Sequence, residues 1–233
     1  MIGEDLKKIL VKIKRRLFSN TYSQAGEDAI IAFLFQDKKM FPVTYLDIGT
    51  NLPDEGNNTY LLYKRGNRGV CVEADKSLIK LIQKVRPQDK VLNAGVTVSA
   101  LDEADFYIFD VKGLNTFDKE EVVKKEASGK YKVSEIVKVP LLNINQIIRE
   151  NFQTYPDLLS IDIEGLDMEV LKSLDFITYP IRVICVETCT YSENHVRPKD
   201  KLIQEFLLTK GYEVYADTYI NTIFINQAWF YQL

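Results

Sequence analysis

Two rhythms of apolar and polar residues alternate along this chain. Short apolar runs rich in β-branched residues read as buried strands, and stretches whose apolar positions recur at helical spacing read as helices. The segment "SQAGEDAIIAFLFQD" (23–37) predicts a loop and then a helix from about Gly26, with Ala29, Ile30, Phe33 and Leu34 on its buried face. A strand follows at 43–48, then a helix around 57–65 closed by Gly66, a residue suited to a helix C-terminus. "GVCVEAD" (69–75) is a second strand, "SLIKLIQKV" (77–85) a helix, "KVLNAGV" (90–96) a third strand and "ADFYIFD" (104–110) an additional one. Residues 118–135 are charged, with a short helix and a Ser-Gly turn, and 136–151 read as a strand and a helix. "DLLSIDIEG" (157–165), its helix "MEVLKSLDF" (168–176) and "IRVICVET" (181–188) continue the alternation. A helix near 199–210 ends at Gly211, before two closely spaced strands, "YEVYA" (212–216) and "NTIFIN" (221–226).

Strands alternating with helices imply a parallel, doubly wound sheet with helices on both faces. The last two strands are too close for a crossover and must form an antiparallel hairpin. Plain dinucleotide-binding domains stay parallel throughout. A parallel sheet closed by a hairpin instead resembles the Rossmann-like class I fold of S-adenosylmethionine-dependent methyltransferases. The expected organisation is an N-terminal helix over 1–22 and one α/β domain over 23–233, with an insert at about 111–135.

Composition narrows the choice of partners. A formal net charge of −3 and a sequence pI near 5.4 give no basic excess, so nucleic-acid binding is not expected. Cys71, Cys185 and Cys189 form an odd, scattered set, which argues for reduced thiols in a cytoplasmic setting and against disulfides or a zinc site. No apolar run approaches the roughly 18 residues that cross a bilayer. In the basic N-terminal stretch, Ile2, Leu6, Ile9, Ile13 and Leu17 recur at helical spacing opposite lysines and arginines. Such a helix either packs on its own domain or a second copy, giving a homo-oligomer, or makes peripheral membrane contact.

In a doubly wound sheet, ligands lie outside the carboxyl ends of the strands, at the switch in strand order. The strands here deliver acids to that edge: Asp47, Glu73, Asp162 with Glu164, and Glu187. Packing does not require such a pattern, and buried acids need a cation, hydroxyl groups or water. Asp47 precedes Gly49 in "YLDIGTNLP", where a dinucleotide would place its diphosphate, and the turn lacks the three-glycine spacing of diphosphate sites. S-adenosylmethionine has an ammonium, a sulfonium and no phosphate. Its aminoacyl end suits the turn of Asp47, Gly49 and Asn51, its ribose suits Glu73 with the adjoining Ala74, and its adenine suits Asn93, Ala94 and the residues after them.

The segments "SQAGEDAIIAFLF", "YLDIGTN…NNTYLLYKRGNRGVCVEAD", "LLSIDIEGLDMEVLKSLDF", "VICVET" and "YADTYINTIFIN" resemble the FkbM-type methyltransferase family, from Ser23 to Asn226. The resemblance implies S-adenosylmethionine as methyl donor and, usually, O-methylation of sugars, glycans or secondary metabolites. It matches Asp47, Gly49 and Asn51 to the cofactor turn, Glu73 to the ribose acid, and Asp162, Glu164 and Gly165 to a later acidic motif. Leu52 and Pro53 stand where many relatives carry a smaller residue, so the path of the turn departs from the pattern there.

Methyl transfer from a sulfonium requires the acceptor oxygen, methyl carbon and sulfur in line, and a sugar hydroxyl needs help to lose its proton. Two arrangements are open. In one, His195, the single histidine, is the base, in a loop after the fifth strand. In the other, Asp162, Glu164 and Glu187 hold a divalent cation such as Mg2+ on the acceptor hydroxyl. The competing reading of these acids is that Asp162 orients the acceptor or donor directly while Glu164 pairs with a nearby cation. Asn115, Thr116, Tyr191, Tyr219 and Asn221 are the candidates for gripping a small-molecule or glycan acceptor, a nucleotide-activated sugar included. The insert is a lid, an oligomer contact or solvated surface. An NAD(P)-dependent oxidoreductase and a non-catalytic scaffold that keeps the fold are the competing functions.

Overall fold

The computed structural model describes residues 21–99, 101–111, 114–163, 165–189, 199 and 201–232. The helix expected at the N-terminus, through residue 20, and Glu164, Tyr191 and His195 lie outside the described residues.

The apolar runs form the strands expected of them. β1 (Thr44–Ile48), β2 (Arg68–Glu73), β3 (Lys90–Asn93), β7 (Leu158–Ile161) and β8 (Val183–Glu187) pair in parallel in the order β3-β2-β1-β7-β8. β9 (Tyr212–Asp217) and β10 (Asn221–Asn226) make the hairpin, and β10 inserts between β8 and β9 as the antiparallel member. "NTIFIN" is buried at every position because it is flanked on both sides. The sheet is thus seven-stranded, mostly parallel and closed by an antiparallel pair. Among the described residues, no helix is long and apolar enough to cross a membrane.

Register assigns the two faces. Asp47 pairs with Cys71 and Ser160, and Ser160 with Cys185, so these side chains share one face. α1 (Glu27–Asp37) and α2 (Tyr60–Lys64) cover that face, with Ile31, Leu34, Phe35 and Leu62 packed on Tyr45, Leu158, Val183 and Ile223. On the opposite face Leu46, Ile48, Val72, Leu159, Ile161 and Val186 meet α5 (Ile144–Asn151), α6 (Asp167–Ser173) and α7 (Lys201–Thr209). α2 stops as expected: Gly66 takes φ +91°, and the amides of Gly66 and Asn67 close the helix on Tyr63 and Leu62 carbonyls. α3 (Lys76–Val85) begins at Asp75, whose side chain accepts from the Ser77 amide.

Two expectations need correction. The buried face of α1 is Glu27, Asp28, Ile31, Ala32, Leu34 and Phe35, whereas Ala29 and Phe33 are exposed. This helix is apolar nearly all round, and its register is chosen by two buried acids that bond loops on either side. Residues 90–96 are also not one strand. The chain leaves the main sheet after Asn93, and β4 (Gly95–Val96) joins a side sheet with β5 (Glu103–Phe109) and β6 (Val133–Leu142), in the order β4-β6-β5. Gly95 permits the crossing, since a Cβ there would lie 2.6 Å from the Phe117 ring. The insert contains α4 (Lys119–Ala127), and its last residues already belong to β6.

Candidate functional site

A cavity of about 700 Å³ opens at the carboxyl ends of β1, β2, β4, β7 and β8. It sits where the strand order reverses between β1 and β7. Asp47, Glu73, Asp75, Asp162 and Glu187 are in its wall, and no lysine, arginine or histidine is among the described residues that line it.

Gly49 makes the floor possible. It adopts φ +78°, and a Cβ there would stand 1.9 Å from the Asp162 carbonyl oxygen, so any side chain would push β1 and the segment after β7 apart. The amides of Gly49 and Thr50 both donate to the Val72 carbonyl, which ties the turn to β2. Asn51 follows with a positive φ of 50° and donates its amide to Glu73 Oε2 at 2.8 Å.

The Asp47 carboxylate lines the cavity but has a cation of its own. Its Oδ2 accepts from Thr59 Oγ1 at 2.7 Å, Asn57 Nδ2 at 3.0 Å and Arg86 Nη1 at 3.3 Å. Arg86 is fully buried and also donates to Asp89, Thr59 and Asn57. Burial opposes its charge, but the surrounding Cys71, Asp47, Tyr45 and Asp89 together outweigh that cost and keep the guanidinium protonated. Tyr45 donates its hydroxyl to Asp89 at 2.7 Å, and its ring lies 5.3 Å from the guanidinium. The acid expected to face a ligand ammonium is therefore neutralised within the protein.

Glu73 is treated differently. It is buried at the cavity wall, and among the described residues its two oxygens accept from the backbone amides of Asn51 and Asp75, each at 2.8 Å. Burial pushes its carboxyl above the ordinary carboxylate range, against the pull of those amides. Next to it, Asp75 Oδ2 accepts from Asn115 Nδ2 at 2.9 Å. This bond clips the 114–118 loop of the insert over the cavity, where Asn115, Thr116 and Phe117 join the wall. Leu78, Val96, Phe106 and Phe117 make that end apolar.

On the other side of the switch, Asn58 is 6% exposed and donates from Nδ2 to Ser160 Oγ at 3.3 Å. Its Oδ1 is buried and has no hydrogen-bond partner among the described residues. Asp162 and Glu187 close this side.

Of the residues selected from the sequence, the structure gathers Asp47, Gly49, Asn51, Glu73, Ala74, Ala94, Asn115, Thr116, Asp162 and Glu187 around one cavity. Others are elsewhere. Asn93 turns its amide to the Glu73 and Ala74 carbonyls, bracing the end of β2 rather than facing a ligand. Asn221 is buried beneath the sheet edge and donates to Glu27 Oε1 at 3.1 Å, outside the cavity wall. Tyr219 is 58% exposed and does not line the cavity either. Among the described residues, no three His, Cys, Asp or Glu side chains are placed to hold a metal ion, so the Mg2+ arrangement has no support there. Burial raises the pKa of Cys71 and of Cys185, which leaves both as poor nucleophiles.

Sequence reasoning missed Gln24, Asn57, Asn58, Thr59, Asp75, Arg86 and Ser160. "NNT" (57–59), three polar residues leading into an apolar helix, was the available signal for its members. Arg86 ends an amphipathic helix before a proline and carries no local mark of burial.

The family model described as "Methyltransferase FkbM domain" matches residues 47–214. Curated protein sequences give no match. Among solved structures, a TehB-like SAM-dependent methyltransferase from Corynebacterium glutamicum is similar at 10% identity and a TM-score of 0.43, covering 97% of this chain and 100% of its own.

Proposed function

Because the chain belongs to the FkbM family of methyltransferases and is thus an S-adenosylmethionine-dependent methyltransferase, we propose that it methylates a hydroxyl of a sugar or glycan. The observation that carries this reading is the acid-rich cavity at the β1/β7 switch, with no basic residue among its described lining. That wall favours a cationic, phosphate-free nucleoside and disfavours a dinucleotide. The residues present suit the donor: Glu73 offers carboxylate oxygens for ribose hydroxyls, the Gly49 turn leaves room for the aminoacyl end, and Leu78, Val96, Phe106 and Phe117 offer an apolar slot for adenine. When bound, S-adenosylmethionine supplies an electrophilic methyl group.

A cavity of about 700 Å³ is in the upper half of the roughly 300–1,000 Å³ range of small-molecule sites, enough for the donor and a small acceptor. Gln24, Asn51, Glu55 and Asn115 in its wall offer the amide and carboxylate groups that hydroxyls bond. A nucleotide-activated sugar would have to keep its phosphates away from the described wall. The hydroxyl proton goes to a group at or beyond the end of β8, Glu187 in the cavity wall or His195 further along the chain. Glu187→Gln and His195→Gln decide between them: the base variant keeps donor affinity and loses turnover, and the other keeps both.

The test of the reading is ligand-dependent stability. S-adenosylhomocysteine at 100 times its Kd should stabilise the fold by about 2.7 kcal/mol, and NAD should not. Stabilisation by NAD and none by S-adenosylhomocysteine would overturn it. Mass-detected methyl transfer to a panel of sugars then identifies the acceptor, and transfer to amines alone would reject the hydroxyl.

A further inference from the structure

Asn58 has a buried polar atom that no other described residue bonds. Its neighbours are fully committed: Asn57 bonds Asp47, Thr50, Thr59 and Arg86, and Thr59 bonds Asp47 and Arg86. Asn58 makes one side-chain bond, from Nδ2 to Ser160 Oγ, and that bond orients the amide. Ser160 is in register with Asp47, so this bond holds the Asn58 amide on β7 beside the position of Asp47 on β1. Its Oδ1, without a partner, belongs to a residue that lines the cavity at this gap. A buried carbonyl oxygen is costly to leave unbonded, so a ligand N–H or O–H is the natural complement.

The chemistry of the wall selects among donors. With acids around the cavity and no basic residue among its described lining, a positively charged donor is favoured over a neutral one. Resting on the reading of the cavity as an S-adenosylmethionine site, we propose that Asn58 Oδ1 accepts a hydrogen bond from the α-ammonium of that donor. Asn58 is then a positioning residue that sets the aminoacyl end across the switch. The sulfonium has no N–H to offer, and the adenine amino group belongs with the apolar end of the cavity, beside Phe106 and Phe117.

The experiment compares equilibrium binding of S-adenosylhomocysteine with that of 5′-methylthioadenosine, which lacks the amino-acid portion. Asn58→Ala should weaken S-adenosylhomocysteine roughly 10-fold or more and leave 5′-methylthioadenosine unchanged. Asn58→Asp should restore S-adenosylhomocysteine, because a carboxylate also accepts from an ammonium. A merely structural role would move both ligands together. Equal losses for both ligands, no loss for S-adenosylhomocysteine, or an aspartate variant as weak as the alanine variant would overturn the assignment. If Asn58→Ala does not fold, Asn58→Ser gives the same comparison, since its shorter side chain withdraws the amide oxygen. Wild-type protein that binds neither ligand would instead sink the reading of the cavity itself.

Discussion

The ends of β1 and β2 each bury a carboxylate beside the same cavity, and the protein treats the two in opposite ways. At the end of β1, Asp47 meets a buried guanidinium, a hydroxyl and an amide. At the end of β2, Glu73 meets two backbone amides and, among the described residues, no cation, and its carboxyl is pushed up by burial. Each carboxylate oxygen can accept more than one bond, so Glu73 retains capacity toward the cavity. Asp47 works mainly on the protein, locking the 57–59 segment and the C-terminal end of α3 beneath the turn. An acid at a strand end is therefore not by itself a ligand-binding acid. What decides its role is which group neutralises it.

The largest effect should come from removing the cation. Arg86→Met strands the buried Asp47 and Asp89 carboxylates, and unfolding in denaturant should show a loss of about 3–5 kcal/mol. Adding Asp47→Asn should recover part of it. A loss well under that range would mean the two strand ends are less different than their contacts indicate.

Gly49→Ala tests the turn they share. A Cβ 1.9 Å from the Asp162 carbonyl, at φ +78°, should cost about 1–3 kcal/mol in stability and abolish S-adenosylhomocysteine binding by calorimetry. Intact binding would show that the β1–β7 gap is not where the donor lies.

The third prediction sharpens the contrast through pH. Glu73 has its folded pKa raised above the ordinary 4.5, so its contribution to stability is complete below that value and is lost as pH rises through the raised one. Glu27 is buried too, yet hydrogen bonds from Thr218, Ala25 and Asn221 together outweigh its desolvation and lower its pKa. Its contribution is complete above 4.5 and is lost as pH falls through the lowered value. Measured as wild type minus glutamine variant, stability should therefore slope downward with rising pH for Glu73 and upward for Glu27. Slopes of the same sign would remove the distinction between the two environments.

The smallest effect belongs to the clip over the Glu73 side. Asn115→Ala breaks the bond to Asp75 and the one from the Phe109 amide, and should cost about 1–2 kcal/mol, with faster hydrogen exchange in the 114–118 loop and at Phe109 and a higher KM for the donor. Unchanged exchange would mean that the loop is held by its other contacts, among them Lys125 on the Leu114 carbonyl and the Tyr107–Thr116 backbone pair.

Much of the site's outline was readable in advance because it lies at the ends of regular elements. An apolar run followed by an acid places that acid at the sheet edge, which is why Asp47, Glu73, Asp162 and Glu187 were found together. Residues that enter from loops fared less evenly. Asn115 and Thr116 do reach the cavity, whereas Tyr219 and Asn221 do not, and nothing in their local sequence separates the two pairs. Asn93 follows the same lesson, since a polar residue at a strand end can as readily brace the neighbouring strand.

Local pattern alone determined the order of elements, the parallel sheet with its closing hairpin, the glycine turn after β1 and the acids at the rim. Each follows from side-chain periodicity or a backbone angle, which neighbouring residues suffice to specify. Only the folded chain decided which acid is neutralised by Arg86, which helix face is buried in α1, and that Asn58 alone of its trio keeps an unused oxygen. Those outcomes depend on distant segments meeting out of water, where an unpaired charge or carbonyl is costly and the available partners settle its role.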